Sequence, residues 1–63
     1  MFSADFLHEI LTLAEITKDL CMAEIMLEDT TEERERVLLD SIAVAIDAGL
    51  FAMRELDKLA GKN

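Results

Sequence analysis

Proline, tryptophan and tyrosine are absent from these 63 residues, and there are one cysteine, one histidine and two glycines. One cysteine excludes a disulfide scaffold within the chain, and one cysteine with one histidine excludes a zinc finger held by a single chain. Bases are scarce: six Lys+Arg stand against fourteen Asp+Glu, a net charge of −8. So acidic a chain is ill suited to simple phosphate-backbone binding. Length removes two-domain enzymes and dinucleotide-binding folds. The least polar stretch, 42–53, is twelve residues long and contains Asp47, too short to span a bilayer. The start, Met1-Phe2-Ser3-Ala4-Asp5, lacks the positive region of a signal peptide. A soluble, cytoplasmic protein is expected, with Cys21 reduced and no membrane partner.

What is present is helix-forming. Hydrophobic residues make up 52% and charged residues 32%, too apolar a mix for disorder. Ala, Leu, Glu, Met and Ile dominate, which favours helix over strand. A first helix is expected over residues 3–28, capped by Ser3. The break falls at Glu28-Asp29-Thr30-Thr31. Thr30 with Glu33 fits a capping box, and Asp29 with Glu32 is a second candidate cap. Glu32 and Glu33 then lie where the helix dipole favours negative charge. A second helix is expected over 31–60, stopped by Gly61, with Lys58 and Lys62 near its negative end. A turn at 29–31 makes the helices antiparallel neighbours, each roughly 40 Å long. The fold class is all-α: one helical-hairpin domain over 1–63.

At 100° per residue, the first helix carries a broad apolar stripe through Phe6, Leu7, Ile10, Leu13, Ala14 and Leu20. Cys21 and Leu27 continue it, and Leu11 and Ile25 widen it. Asp5, His8, Glu9, Thr12, Glu15 and Asp19 take the polar side. The second helix has one narrow polar ridge, Arg36, Asp40, Asp47, Arg54 and Lys58, and is otherwise apolar. A helix apolar nearly all round is buried among several neighbours. A homodimer is therefore expected, two hairpins forming a four-helix bundle with the second helix central. Ala45, Gly49 and Ala52 share one seam, flanked by Leu38, Ile42, Leu56 and Leu59. These seven residues are the expected oligomer interface. Mid-helix Gly costs about 1 kcal/mol relative to Ala, a cost that close approach of another backbone explains. Gly49→Leu is accordingly expected to break the oligomer.

Residues 1–30 hold seven acids and Lys18 alone, for −6, and residues 31–63 hold seven acids and five bases, for −2. The acidic surface thus lies mainly on the first helix, where it either keeps the protein soluble or docks on a basic surface of another protein. Arg36 and Asp40 are spaced as a helical ion pair. Arg54 and Lys58 repel one another mildly and invite an acid such as Asp5 or Glu9.

Chemistry finds little purchase. His8 has Asp5 and Glu9 nearby, but no Glu-x-x-His motif of a carboxylate-bridged metal bundle is present. Cys21 is nearly 20 Å along the helix from His8 and reads as a small core residue. No catalytic residue, metal or cofactor is expected. The informative leftovers are apolar. Val44, Ala48 and Phe51 align on one flank of the second helix, and Met22 and Met26 stack near the turn. Flexible methionines and an aromatic anchor suit a partner-binding surface.

In length and topology the whole chain resembles the Rop-type plasmid regulators, short antiparallel hairpins that dimerise into a four-helix bundle. That family binds RNA loop pairs through polar and basic residues on one helix face, where the first helix here offers Lys18. Glu33-Arg34-Glu35-Arg36-Val37-Leu38 with Ser41 is similar to the charged start of the second helix in small phage-encoded hairpin proteins that disable host regulators or immune signalling. The expected function is a non-enzymatic protein-interaction module, a phage- or plasmid-encoded regulator or inhibitor that covers a functional surface of its partner. The alternatives are a Rop-like RNA-binding regulator, an oligomer that sequesters a small ligand, and a structural subunit.

Overall fold

Ser3 has an extended backbone, and its Oγ accepts the Phe6 N–H at 3.2 Å. This side-chain cap satisfies a donor that the first helical turn leaves free and opens α1, Ala4–Ile25. The computed structural model describes residues 2–27 and 29–61. Glu28, at the expected end of the first helix, and Lys62, expected beside the end of the second, lie outside the described residues.

The first helix ends earlier than the sequence suggests. Its last carbonyls find other partners. The Leu27 N–H reaches the Glu24 carbonyl at 3.1 Å, a tighter turn than α-helix, and the Thr30 hydroxyl donates to that carbonyl at 2.7 Å. Glu24 is gripped by its side chain too, because Arg34 Nε and Nη2 both lie 2.9 Å from its Oε1. The turn is thus clasped by Glu24 from both sides.

The second helix, α2, spans Glu32–Leu59. Its cap is Thr31, whose Oγ1 accepts the Arg34 N–H at 3.2 Å. Neither expected cap, Thr30 or Asp29, takes that place, since Thr30 turns back to α1. Glu32, Glu33 and Glu35 occupy the first turn, where the dipole favours acids. At the far end Gly61 adopts φ 77°, a left-handed conformation that stops the helix at little cost for glycine.

The two helices pack against each other as an antiparallel hairpin 46 Å long and 16 × 15 Å across. Its interior is thin. Leu7, Ala45 and Ala52 are the buried residues among those described. Leu11, Ala14, Cys21, Leu38, Ile42 and Leu56 are half-buried beside them. Ion pairing among the described residues comprises Arg34–Glu24 and Lys58–Glu55, the latter 2.9 Å long. Lys58 therefore meets an acid of its own helix rather than Asp5 or Glu9, and Arg36 and Asp40 form no ion pair.

Candidate interaction surface

Small residues bring α2 close to α1. A Cβ built on Gly49 would lie 3.8 Å from Ala14 Cβ and 4.0 Å from Leu11 Cδ2. The seam of Ala45, Gly49 and Ala52, assigned from the sequence to contact between subunits, faces the first helix of its own chain. The close approach at Gly49 is present, and its partner is α1. Of the flanking residues, Leu38, Ile42 and Leu56 are half-buried and Leu59 is 40% exposed.

With that seam closed inside the hairpin, a second one stands open. On α1 the inner row runs through Leu7, Leu11, Ala14, Lys18, Cys21 and Ile25, with the alternating four- and three-residue steps of a heptad pattern. One residue earlier at each step runs Phe6, Ile10, Leu13, Thr17, Leu20 and Glu24. On α2 the inner row through Leu38, Ile42, Ala45, Gly49, Ala52 and Leu56 is likewise preceded by Val37, Ser41, Val44, Ala48, Phe51 and Glu55. The two outer rows meet on one face of the hairpin and enclose an open groove of about 590 Å³ between them. Ile10, Leu13, Ala14 and Thr17 line it from α1, and Val37, Ser41, Val44 and Ala48 from α2. Ile10, Ala14, Ser41 and Ala48 are half-buried and form its floor. Leu13 and Val44 stand on its rims, 63% and 69% exposed. The Ser41 hydroxyl donates to the Val37 carbonyl at 3.0 Å, so it places no free donor in the groove.

An aromatic cluster closes one end of this face. Phe2 stacks on Phe6 and meets Phe51 edge-on, each pair with ring centroids 5.5 Å apart. Phe51 remains 41% exposed. Phe2, Leu13, Leu20 and Val37 belong to this surface although the sequence reading left them out of it. The heptad spacing of 6, 13 and 20 and of 37, 44 and 51 was the signal that marks Leu13, Leu20 and Val37. Phe2 lies outside that spacing and joins through its ring contacts with Phe6 and Phe51.

The expected partner-binding group is divided by the fold. Val44, Ala48 and Phe51 lie on the groove face. Met22 is nine residues from Leu13, about two and a half helical turns, which puts it on the opposite side of α1. Met26, 82% exposed, follows Met22 one turn later. Met53 stands in the same relation to Val44 on α2 and is exposed with Leu39, Ile46 and Leu50. The back of the hairpin thus has an apolar flank of its own, where α1 contributes Glu15 and half-buried Lys18 beside Ile46 and Gly49.

His8 is exposed and borders a shallow depression with Asp5, Glu9, Thr12 and Leu13. Cys21 is a half-buried free thiol in the inner row. Among the described residues no cluster of three His, Cys, Asp or Glu side chains is placed to hold a metal ion. Among the described residues no helix is long and apolar enough to cross a membrane. No protein-family model, curated protein or solved structure matches the chain. The likeness to hairpin regulators rests on two helices packed antiparallel, without a family behind it.

Proposed function

We propose that this protein is a non-enzymatic interaction module whose hairpin pairs with a second copy into a four-helix bundle, and that the bundle binds and modulates another protein. One observation carries the reading. Three residues are buried, while sixteen large apolar side chains among the described residues are exposed. Burial of apolar surface is the main force that offsets the entropy of ordering a chain. A core of one leucine and two alanines is a small return for ordering two long helices. Exposed apolar surface on this scale marks a place where protein meets protein. The acidic excess on α1 supports a partner with a basic surface, which it would steer at a distance.

Light scattering over a range of concentrations tests the first half. A mass near twice 7.1 kDa is expected, and a well-folded monomer at all concentrations would dispose of the bundle. For the second half, a photo-crosslinking side chain placed at Met53 in the producing cell is expected to give one dominant adduct with another protein. Adducts between copies alone would reduce the protein to a structural subunit.

A further inference from the structure

We infer that the second copy seats on the groove face, outer row against outer row, and that the methionine-bearing back of the hairpin stays outside the bundle. This rests on the bundle reading above and assigns it a surface different from the Ala45–Gly49–Ala52 seam, which the hairpin uses internally.

The face is built for an occupant of a particular shape. Each helix of a four-helix bundle touches two neighbours and needs two apolar rows. Both helices here carry a second row, both are displaced from the inner row by one residue in the same direction, and both open on the same side of the hairpin. A single helix laid in the groove would touch both rows, whereas a pair of helices at this pair's separation and of this pair's length sets one helix against each row along its whole length. A second hairpin of the same chain is such an object.

The face is also complementary to itself. Its middle holds a groove floored by small or half-buried side chains, Ala14, Ser41 and Ala48, and its rims carry Leu13 and Val44. A two-fold axis sets this face against itself, so that a residue i meeting j across the interface is matched by j meeting i. A face with both a groove and projecting rims then lets the rim residues of each copy enter the groove of the other as knobs into holes.

Charge fits the same arrangement. The charged members of the outer rows are Glu24 and Glu55, near the ends of the hairpin, and each is held 2.9 Å from a base of its own chain, Arg34 or Lys58. Asp40 borders the groove and is exposed to solvent. Between those ends the rows themselves are uncharged. A face 46 Å long and 16 Å wide is of the order of the ~800 Å² per partner that a standard protein interface buries. The back offers no equivalent match along its middle, because Ile46 and Gly49 of α2 there lie beside Glu15 and Lys18 of α1, and its apolar residues from α1 and its C-cap, Met22 and Met26, are confined to the turn end.

The experiment compares Leu13→Glu and Val44→Glu with Met53→Glu in the full chain, by light scattering and circular dichroism. The unchanged protein and Met53→Glu are expected to weigh twice the single-chain mass. Leu13→Glu and Val44→Glu are expected to weigh half of that at the same concentration. Doubled mass in both groove variants would overturn the face while leaving the bundle standing. Monomeric unchanged protein would overturn the bundle and this inference together, and would be the result if another protein or a small molecule were the groove's occupant. If the glutamates abolish folding, thiol protection decides. In a Cys21→Ala background, Val44→Cys is expected to react with a maleimide at least tenfold more slowly at assembling concentration than on dilution, while Met53→Cys reacts equally in both. Equal rates for Val44→Cys would overturn the assignment.

Discussion

At Gly49 the space for one methyl group exists, since its Cβ would make ordinary contact with Ala14 at 3.8 Å. Gly49→Ala is therefore expected to stabilise the hairpin by about 0.5–1 kcal/mol through the lower entropy cost of helical alanine, read as a higher urea midpoint with unchanged mass. Gly49→Leu extends past that contact into Ala14 and Leu11, and is expected to lower the melting temperature of the hairpin itself. Loss of assembly in that variant would then follow from lost folding. Thr31 and Thr30, adjacent in sequence, do different work. Thr31→Ala removes the cap of α2 and is expected to cost about 1 kcal/mol. Asp29→Ala is expected to cost less, because the capping oxygen is Thr31's; thermal melts of the two variants check the order.

The elements themselves were legible in the residues. Absence of proline, a serine before the first apolar turn and a glycine after the last one delimit two helices, and Ser3 and Gly61 act as expected. The turn was less legible, because Asp29, Thr30 and Thr31 all suit a cap and only their partners distinguish them. Thr30 is drawn to the Glu24 carbonyl, a contact made across the turn that no local pattern encodes. The same limit applies to the faces. Periodicity shows that Ala45, Gly49 and Ala52 share a row, but it does not say which helix they meet. Smallness was the available clue: the nearest helix in a hairpin is its own partner, and the smallest row lets it come closest. The Glu24–Arg34 clasp is mostly solvent-exposed on the arginine side, so Glu24→Gln is expected to cost no more than about 1 kcal/mol. That loss should shrink in high salt, as a urea series with and without added sodium chloride would show.

For the whole molecule, folding and association should be one event. In the proposed bundle a hairpin with so thin an interior would gain most of its apolar burial from its partner copy, so its melting temperature is expected to rise with protein concentration. A melting temperature independent of concentration over a hundredfold range would contradict that coupling. Each copy brings a net charge of −8, and like-charged subunits repel. Added salt is accordingly expected to strengthen the pairing by screening, with a lower concentration needed for half-assembly in sedimentation experiments. The two rows on each helix also limit how the chain can vary in length. Because inner and outer rows differ by a single residue step, deleting or inserting one residue within either helix turns everything beyond it by about 100°. Past the lesion the bulky row would swing toward the space now filled by alanine and glycine, or the small row would move out of it. Length variants that keep this fold should therefore carry their insertions in the turn, or within the helices in units of seven.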